Sequence, residues 1–390
     1  MIGHATEPAS SHATAPAAST NAAIRLFLMT NTFETGGGER QFTVLAQNLS
    51  PAEFQLHLGC VNARGRLLGQ FKDTPQFPLG GSLFGWRSLR TRLKLSRHLR
   101  ANQIEIAQSF DFYTNLTLIP AARFARVPVV IGSHRQLGDL MTPSQFRAQA
   151  AAFRLCDAVV CNSCAGAAHL AAGGIDRNKL AVLGNALPAA AFALASPALP
   201  RRPGTLRVGM VARMNAHYKN HAGFLRIAAQ VHRQMPEVEF LLAGDGPLRP
   251  ELEKQAGELG LGASAIFLGD RQDVPAVLAS LDVAVLTSDS ESLSNFILEA
   301  MAASLPVVAY SVGGNVDLVS EQTGALINPR NENEFAAAIV RFLSDADLRR
   351  GHGASARRFV EQNFGLDQVR RRYEDLYVSL LDRKGRRKPS

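Results

Sequence analysis

Short apolar runs alternate with longer stretches of mixed polarity along the whole chain. In the first half the runs occupy residues 24–30, 54–61, 104–110, 127–133, 157–163 and 179–185, and in the second half residues 206–212, 238–244, 265–270, 282–288, 306–311 and 325–329. Near-continuous apolar runs of this length are typical of parallel strands buried on both faces, and the stretches between them fit covering helices. The pattern predicts an α/β fold of two Rossmann-like, doubly wound domains that face each other across a cleft.

The chain has 390 residues, of which 46% are hydrophobic, so it is too long for a single core. The proline-rich, weakly charged segment 186–204 predicts a hinge or crossing segment between the two domains. We therefore place a disordered tail at 1–22, a first Rossmann-like domain at 23–190, a linker at 191–204, a second Rossmann-like domain at 205–364, a helix that crosses back to the first domain at 365–382 and a basic tail at 383–390.

The start of the chain bears on the compartment of the protein, and the cysteines bear on metal binding. Residues 1–22 have neither a basic start nor an apolar core, and no apolar run is long enough to span a bilayer, so we expect a cytoplasmic protein. Three cysteines, Cys156, Cys161 and Cys164, lie near His169 and allow a zinc reading. However, CDAVVCNS fits a buried strand in which cysteine acts as a small apolar residue, so no metal is expected.

The net charge of +9 calls for an anionic partner, which composition alone leaves open among nucleic acid, a membrane surface and a phosphorylated substrate. Residues 86–100, WRSLRTRLKLSRHLR, contain six Arg or Lys and no acid, with Trp86 and four leucines interleaved. This segment predicts a basic amphipathic helix. It fits either a helix that lies on anionic lipid or a solvated helix that covers the sheet.

Familiar phosphate motifs are absent from the sequence. No GxGxxG follows any run, since the nearest stretch, GDGPLR at 244–249, ends in Arg, and no Gly-Lys pair exists for a P-loop. The DAD at 345–347 follows a helical stretch and predicts a helix N-cap better than a metal site.

Two cations follow the seventh apolar run. Arg213 lies at the predicted strand's end and Lys219 at the start of the next helix. A guanidinium and an ammonium fixed there suit a diphosphate. Ordinary surface ion pairing is the alternative in so arginine-rich a chain.

Two carboxylates bracket the helix after the tenth run. Glu291 falls in the loop, a helix is predicted to begin at 292–294, and Glu299 follows two turns in. Both acids would face the cleft, with the free N–H groups of the helix start between them. The alternative is a helix-start charge and an ordinary exposed residue.

Taken in order, these motifs resemble the GT4 family of retaining glycosyltransferases, also called glycosyltransferase group 1, which has the GT-B fold. The resemblance rests on GGGER (36–40), CDAVVCNS, Arg213 with Lys219, GDGP (244–247), the E-x7-E of Glu291 and Glu299, and TGALINP, and it runs from Ile24 to Tyr377. It implies an acceptor domain first and a nucleotide-sugar donor domain second, with no metal or cofactor. The substrate would be a UDP-sugar, with a GDP-sugar as the alternative.

The resemblance also implies residue roles. Arg213 and Lys219 would hold the diphosphate, Glu299 the ribose hydroxyls and Glu291 the transferred sugar, assisted by backbone amides near Ser294 and Asn295. The glycines Gly36, Gly37 and Gly38 would let the first domain approach the phosphate or the acceptor. The backbone beside Arg271, and Gly244 of GDGP, would lie near the nucleotide, and His134 would lie beside the sugar unless it is a structural loop histidine.

The sequence departs from the family pattern at two places: Ser292 stands where the family has Gly, which changes the sugar pocket, and NALP (185–188) replaces NGVD, which alters the hinge. We expect transfer to a lipid-linked or cell-envelope glycan acceptor at the inner face of the membrane, and no nucleic-acid partner. A UDP-sugar epimerase of the same double-sheet fold and a non-catalytic protein that binds nucleotide-sugar or lipid are the alternatives.

Overall fold

The computed structural model describes residues 23–71, 73–83 and 85–385. The predicted tail at 1–22 and residues 386–390 of the basic tail lie outside the described residues. Each of the twelve apolar runs contains a strand, because continuous Val, Ile, Leu and Phe suit strands with both faces buried. The predicted α/β architecture of two doubly wound sheets is confirmed.

Six parallel strands form the sheet of the first domain, in the order β2-β1-β3-β4-β5-β6. They are β1 (Ile24–Thr30), β2 (Phe54–Cys60), β3 (Ile106–Ser109), β4 (Val129–His134), β5 (Ala158–Cys161) and β6 (Leu180–Val182). Helices α1 (Gly37–Asn48), α2 (Trp86–Ala101), α3 (Phe112–Ala125), α4 (Pro143–Arg154) and α5 (Cys164–Ala172) cover them.

The second domain has a parallel sheet in the order β12-β11-β10-β7-β8-β9. Its strands are β7 (Arg207–Val211), β8 (Glu239–Ala243), β9 (Ala265–Gly269), β10 (Val283–Leu286), β11 (Val307–Tyr310) and β12 (Gly324–Ile327). The helices that follow are α6 (His221–Gln234), α7 (Arg249–Glu258), α8 (Val274–Leu278), α9 (Asn295–Ala302), α10 (Glu332–Ser344), α11 (Ala346–Phe364) and α12 (Leu366–Asp382).

The strand orders fix where a ligand can bind. The direction of winding reverses between β1 and β3 in the first sheet, and between β7 and β10 in the second. At such a switch point the loops leave the sheet on opposite sides and open a crevice at the carboxyl ends of the strands. The loops after β7 and β10 carry Arg213, Lys219 and Glu291, so these residues meet at the crevice of the second sheet.

The chain passes between the domains at two adjacent points. The Leu187 amide donates to the Phe364 carbonyl at 2.8 Å, and the Leu366 amide donates to the Leu187 carbonyl at 2.9 Å. After this junction α12 packs on the first domain, where the Tyr377 hydroxyl donates to Gln108 Oε1 at 2.6 Å. Asp345, in the DAD segment, caps α11 by accepting from the Leu348 amide, as predicted.

Candidate active site

Each predicted phosphate-binding cation has a partner in the cleft. The Lys219 ammonium lies 2.6 Å from Glu291 Oε1, and the Glu291 side chain is 9% exposed. Arg213 reaches the first domain, where its Nη2 donates to the Thr35 carbonyl at 3.4 Å. Lys219 and Glu291 therefore neutralise each other in the protein alone. Within the described part of the chain, the hydrogen bond of Arg213 is this long contact with a neutral oxygen, and no carboxylate pairs with it.

The GDGP turn supports the backbone under Arg213. Gly244 has a φ of +134°, and a Cβ there would lie 2.0 Å from the Ala212 carbonyl oxygen. The Met214 amide donates to the Asp245 carbonyl at 2.9 Å, which ties the two loops together. Only glycine fits this close approach, so the turn positions the arginine through backbone contact.

Helix α9 positions the second carboxylate. It begins at Asn295, with the Ser294 hydroxyl accepting from the Ile297 amide at 3.3 Å. Glu299 therefore lies just over one turn into the helix, and the expectation of two turns is wrong, because the Ser294 cap delays the start. The residues that anchor α9 to the sheet are the buried Phe296, Ile297, Leu298, Ala300 and Met301.

The carbonyl of Glu291 is held from below by the loop after β11. Gly314 donates its amide to the Glu291 carbonyl at 3.1 Å. Gly313 has a φ of +48°, and a Cβ there would lie 1.7 Å from the same oxygen. The two glycines thus fix the backbone that presents the Glu291 carboxylate.

Arg40 is a site residue that the sequence interpretation missed. Its Nη2 donates to Glu299 Oε1 at 2.7 Å, across the cleft from α1 to α9, and the Arg40 side chain is 48% exposed. Its place in the GGGER segment was the only signal of this role in the sequence. Glu299, which was predicted to bind the ribose, is thus paired with an arginine of the other domain.

The glycine-rich segment differs from a simple loop. Gly36 is the N-cap of α1, with a φ of −70°, and Gly37 and Gly38 are the first helical residues after it. A Cβ on Gly36 would lie 3.4 Å from Arg213 Nη2, and one on Gly37 would lie 2.9 Å from Asn295 Nδ2. A Cβ on Gly38 would meet nothing within 4 Å. Gly36 and Gly37 therefore face the second domain, whereas Gly38 has open space.

Further polar contacts close the cleft, and sequence reasoning did not anticipate them. The Ser292 hydroxyl donates to Asn162 Oδ1 at 2.5 Å, and Asn185 Nδ2 donates to Asn295 Oδ1 at 2.6 Å. The Ser292 hydroxyl makes a contact that a glycine at this position could not make. Asn162 and Asn185 belong to the NS and NALP motifs, which were the only signals in the sequence.

His134 lies at the end of β4 and is 1% exposed. Its Nδ1 lies 3.0 Å from Gln149 Nε2. Burial lowers the pKa of its imidazole to about 4, so the ring is neutral near pH 7. A Cβ on Gly166 would lie 3.6 Å from His134 Cδ2 and 3.7 Å from Ser292 Oγ. Gly166 therefore lies between the imidazole ring and the Ser292 hydroxyl in the cleft. Its place beside a sugar stays a prediction.

Arg271 follows β9, at the far side of the second sheet. Its guanidinium pairs with Asp273 at 2.5 Å. The predicted role belongs to the backbone beside this residue, and that role too stays a prediction.

Among the residues that the structure describes, no helix is long and apolar enough to cross a bilayer.

Two family models match this chain, one for each domain. Residues 205–345 match the model described as glycosyl transferases group 1, and residues 35–190 match glycosyltransferase family 4. The chain is 34% identical over 176 residues to a 2-deoxystreptamine glucosyltransferase of Streptomyces kanamyceticus, covering 43% of this chain and 44% of the relative. It is 30% identical over 166 residues to an N-acetyl-alpha-D-glucosaminyl L-malate synthase of Bacillus anthracis, covering 42% of each. The chain thus matches less than half the length of these curated relatives.

Solved structures share the whole two-domain fold. The crystal structure of Anabaena HepE in complex with UDP has a TM-score of 0.79 at 20% identity, covering 91% of this chain and 100% of that chain. Its complex with UDP-glucose has a TM-score of 0.77. This likeness confirms the predicted GT-B arrangement of two Rossmann-like domains.

Proposed function

Because the chain belongs to the GT4-like group 1 glycosyltransferases, we propose that it transfers a sugar, with retention, from a nucleotide-diphosphate sugar to a lipid-linked or cell-envelope glycan acceptor. One observation carries the proposal. Arg213, Lys219 and Glu291 meet at the switch-point crevice of the second sheet, opposite the Gly36 end of α1, and Glu299 faces the same cleft.

The diphosphate would take the place between the two cations. In the protein alone Lys219 is neutralised by Glu291, whereas Arg213 has no carboxylate partner among the described residues. A diphosphate that binds Arg213 would also bind the Lys219 ammonium. Glu291 would then lose part of its pairing with Lys219 and would lie beside the sugar. Fixed cations aimed at the leaving group stabilise the charge that develops there, so the transfer needs no divalent metal.

The donor we infer is a UDP-sugar, with a GDP-sugar as the alternative. Support comes from the crystal structures of HepE in complex with UDP and with UDP-glucose, which share this fold. On this proposal Glu299 accepts hydrogen bonds from the ribose hydroxyls, and the backbone near Gly244 and Arg271 contacts the nucleotide. Ser292, which carries a hydroxyl where the pattern of the resembled family has glycine, would border the sugar pocket.

A panel of nucleotide-sugars, scored for nucleotide release with and without a membrane-lipid extract, tests the proposal. Release that depends on the extract is expected for one donor. Conversion of the donor sugar without any acceptor would instead identify an epimerase. Tight nucleotide binding with no turnover of any donor would identify a non-catalytic binding protein.

Chelation tests the role given to the cations. Activity should survive EDTA, and Arg213→Ala should lower kcat by roughly 10²- to 10³-fold, as the loss of one preorganised donor does elsewhere. Arg233→Ala is the matched control, since Arg233 is exposed on α6, away from the cleft loops. If EDTA abolishes turnover and Mg²⁺ or Mn²⁺ restores it, the account of the leaving group is wrong.

A further inference from the structure

Helix α2 exposes apolar side chains and buries hydroxyl groups. Trp86 is 66% exposed, Leu89 45% and Leu93 37%, while the buried face includes Ser88, Thr91 and Ser96 beside two leucines. A helix that only covers a sheet turns its large apolar side chains inward. The outward Trp86, Leu89 and Leu93 begin an apolar stripe on this helix. The Arg90 guanidinium lies 5.4 Å from the centre of the Trp86 ring, but no described residue covers the three side chains.

Helix α3 extends the same surface. Arg92 Nε donates to the Leu116 carbonyl and Arg100 donates to the Phe124 carbonyl, each across 24 residues, so α2 and α3 lie side by side in parallel. The Arg100 guanidinium stacks 4.9 Å from the centre of the Phe124 ring, which is 59% exposed. Of the ten large apolar side chains exposed in the described part of the chain, five lie on these two helices. The concentration argues against chance exposure.

The charges around this apolar stripe have one sign. No Asp or Glu occurs in either helix. The exposed cations around the stripe are Arg87, Arg90, Lys94, Arg97, Arg100 and Arg126. None of these six has an ion-pair partner among the described residues. Such a surface repels basic partners and is complementary to an anionic one.

An open depression of about 490 Å³ lies at the far end of the stripe, lined by Arg100, Arg123, Phe124 and Arg126. Arg123 is neutralised by Asp157 at 2.8 Å. The net positive charge of the depression therefore comes from Arg100 and Arg126. Two cations beside an exposed aromatic ring fit an anionic phospholipid head group, with the ring at the boundary of the acyl chains.

The direction of α2 and α3 relates this surface to the cleft. Each helix returns from the carboxyl edge of the first sheet, so Trp86 lies at the edge that faces the cleft and Phe124 lies at the opposite edge. The stripe therefore runs from the cleft to the far end of the first domain.

We propose that the docking face, defined as Trp86, Leu89, Leu93 and Phe124 with the surrounding cations, lies on the surface of an anionic phospholipid bilayer. The apolar side chains enter the interface, and the cations bind head-group phosphates. Delivery of a lipid-linked acceptor to the cleft at the Trp86 end rests on the proposed function, whereas the docking itself does not.

Trp86 reports on its own docking, because it is the only tryptophan in the chain. The full chain is titrated with vesicles of phosphatidylglycerol and phosphatidylcholine, and with phosphatidylcholine alone. With the anionic vesicles we expect a blue shift of the Trp86 emission, quenching by lipids brominated in their acyl chains, and loss of binding as salt increases. Binding without any change in Trp86 emission would place the contact elsewhere, such as the basic tail at 383–390, and would overturn the proposal, as would no binding.

Matched variants separate position from total charge. Arg90→Glu with Arg97→Glu should weaken vesicle binding by roughly 30-fold or more, since each cation near an anionic surface contributes about 1 kcal/mol. Arg233→Glu with Arg371→Glu changes the net charge equally, outside the docking face, and should leave most of the binding. An equal loss in both pairs would show that net charge alone attracts the protein.

Apolar variants test the insertion. Leu89→Ser with Leu93→Ser should abolish the quenching, while Leu194→Ser, at a leucine that is 97% exposed in the linker, should not. All variants should bind UDP as tightly as the unchanged protein in calorimetric titration, so a failure to dock is distinguishable from a failure of the proposed function. Sedimentation without lipid tests whether a second copy of the chain binds the docking face instead. A dimer that dissociates in the Leu89→Ser with Leu93→Ser variant would overturn the bilayer proposal.

Discussion

Glu291 and Glu299 are eight positions apart and have partners of different kinds. Glu291 pairs with Lys219 of its own domain, and Glu299 pairs with Arg40 of the other domain. The apolar residues between them anchor α9, so the spacing between the two carboxylates is fixed by packing. This difference in partners predicts different kinetic effects.

We expect Glu299→Ala mainly to raise the donor KM, because ribose hydroxyls do not change during transfer and their loss removes uniform binding. Glu291→Gln should instead lower kcat more than it raises KM, since positive charge develops on the sugar ring as the diphosphate leaves. Steady-state kinetics of both folded variants decides the matter. Equal effects on KM alone, or full activity in either variant, would contradict this division of roles.

Arg40 should compete with the nucleotide for Glu299. If the ribose hydroxyls must displace the guanidinium, Arg40→Ala should tighten UDP binding by about 2- to 5-fold, the size expected for a half-exposed ion pair. Calorimetric titration of Arg40→Ala, Glu299→Gln and the double variant measures the coupling. The gain should vanish in the Glu299→Gln background. Weaker UDP binding by Arg40→Ala would show that Arg40 orients Glu299 and does not compete with the ribose.

At the scale of elements, the sequence predicted what depends on local patterning. All twelve strands were predicted, because a strand buried on both faces is a continuous apolar run, as in IRLFLMT for β1. Helix starts were predicted less well, since they depend on caps and on contacts from distant loops. The start of α1 inside the GGGER segment and the delayed start of α9 are two examples.

The glycine turn under Glu291 should be sensitive to a single methyl group. Gly313→Ala would place a Cβ 1.7 Å from the Glu291 carbonyl oxygen, at a φ of +48°. We expect the free energy of unfolding to fall by about 1–3 kcal/mol, and kcat to fall as the carboxylate moves.

Gly257→Ala is the matched control for that change. Gly257 lies inside α7, and a Cβ there would meet nothing within 4 Å. This variant should be more stable by about 0.5–1 kcal/mol, because alanine costs less entropy than glycine in a helix, and kcat should be unchanged. Denaturant unfolding and steady-state kinetics measure both variants. A Gly313→Ala protein with normal kcat would show that the turn does not position Glu291.

At the scale of the whole molecule, the contacts between domains could not be predicted from the sequence. Arg40 and Glu299 are 259 residues apart, and Ser292 and Asn162 are 130 apart. Pairs at such separations leave no periodic signal, and each partner alone reads as an ordinary polar surface residue. The apolar cores, by contrast, are separate in the two domains and follow from the local patterns.

Because the cores are separate, polar contacts should control closure of the cleft. Each such hydrogen bond contributes about 0.5–1.5 kcal/mol, so Arg40→Ala with Asn162→Ala should shift the balance toward the open form by roughly 5- to 150-fold. We expect a larger radius of gyration by X-ray scattering without ligand, a return toward the closed value with saturating UDP, and little change in Tm. Asn178→Ala, at an exposed asparagine of the first domain, should change none of these quantities. An unchanged radius in the double variant would mean that the remaining links, such as Asn185 to Asn295, hold the cleft closed without the other two.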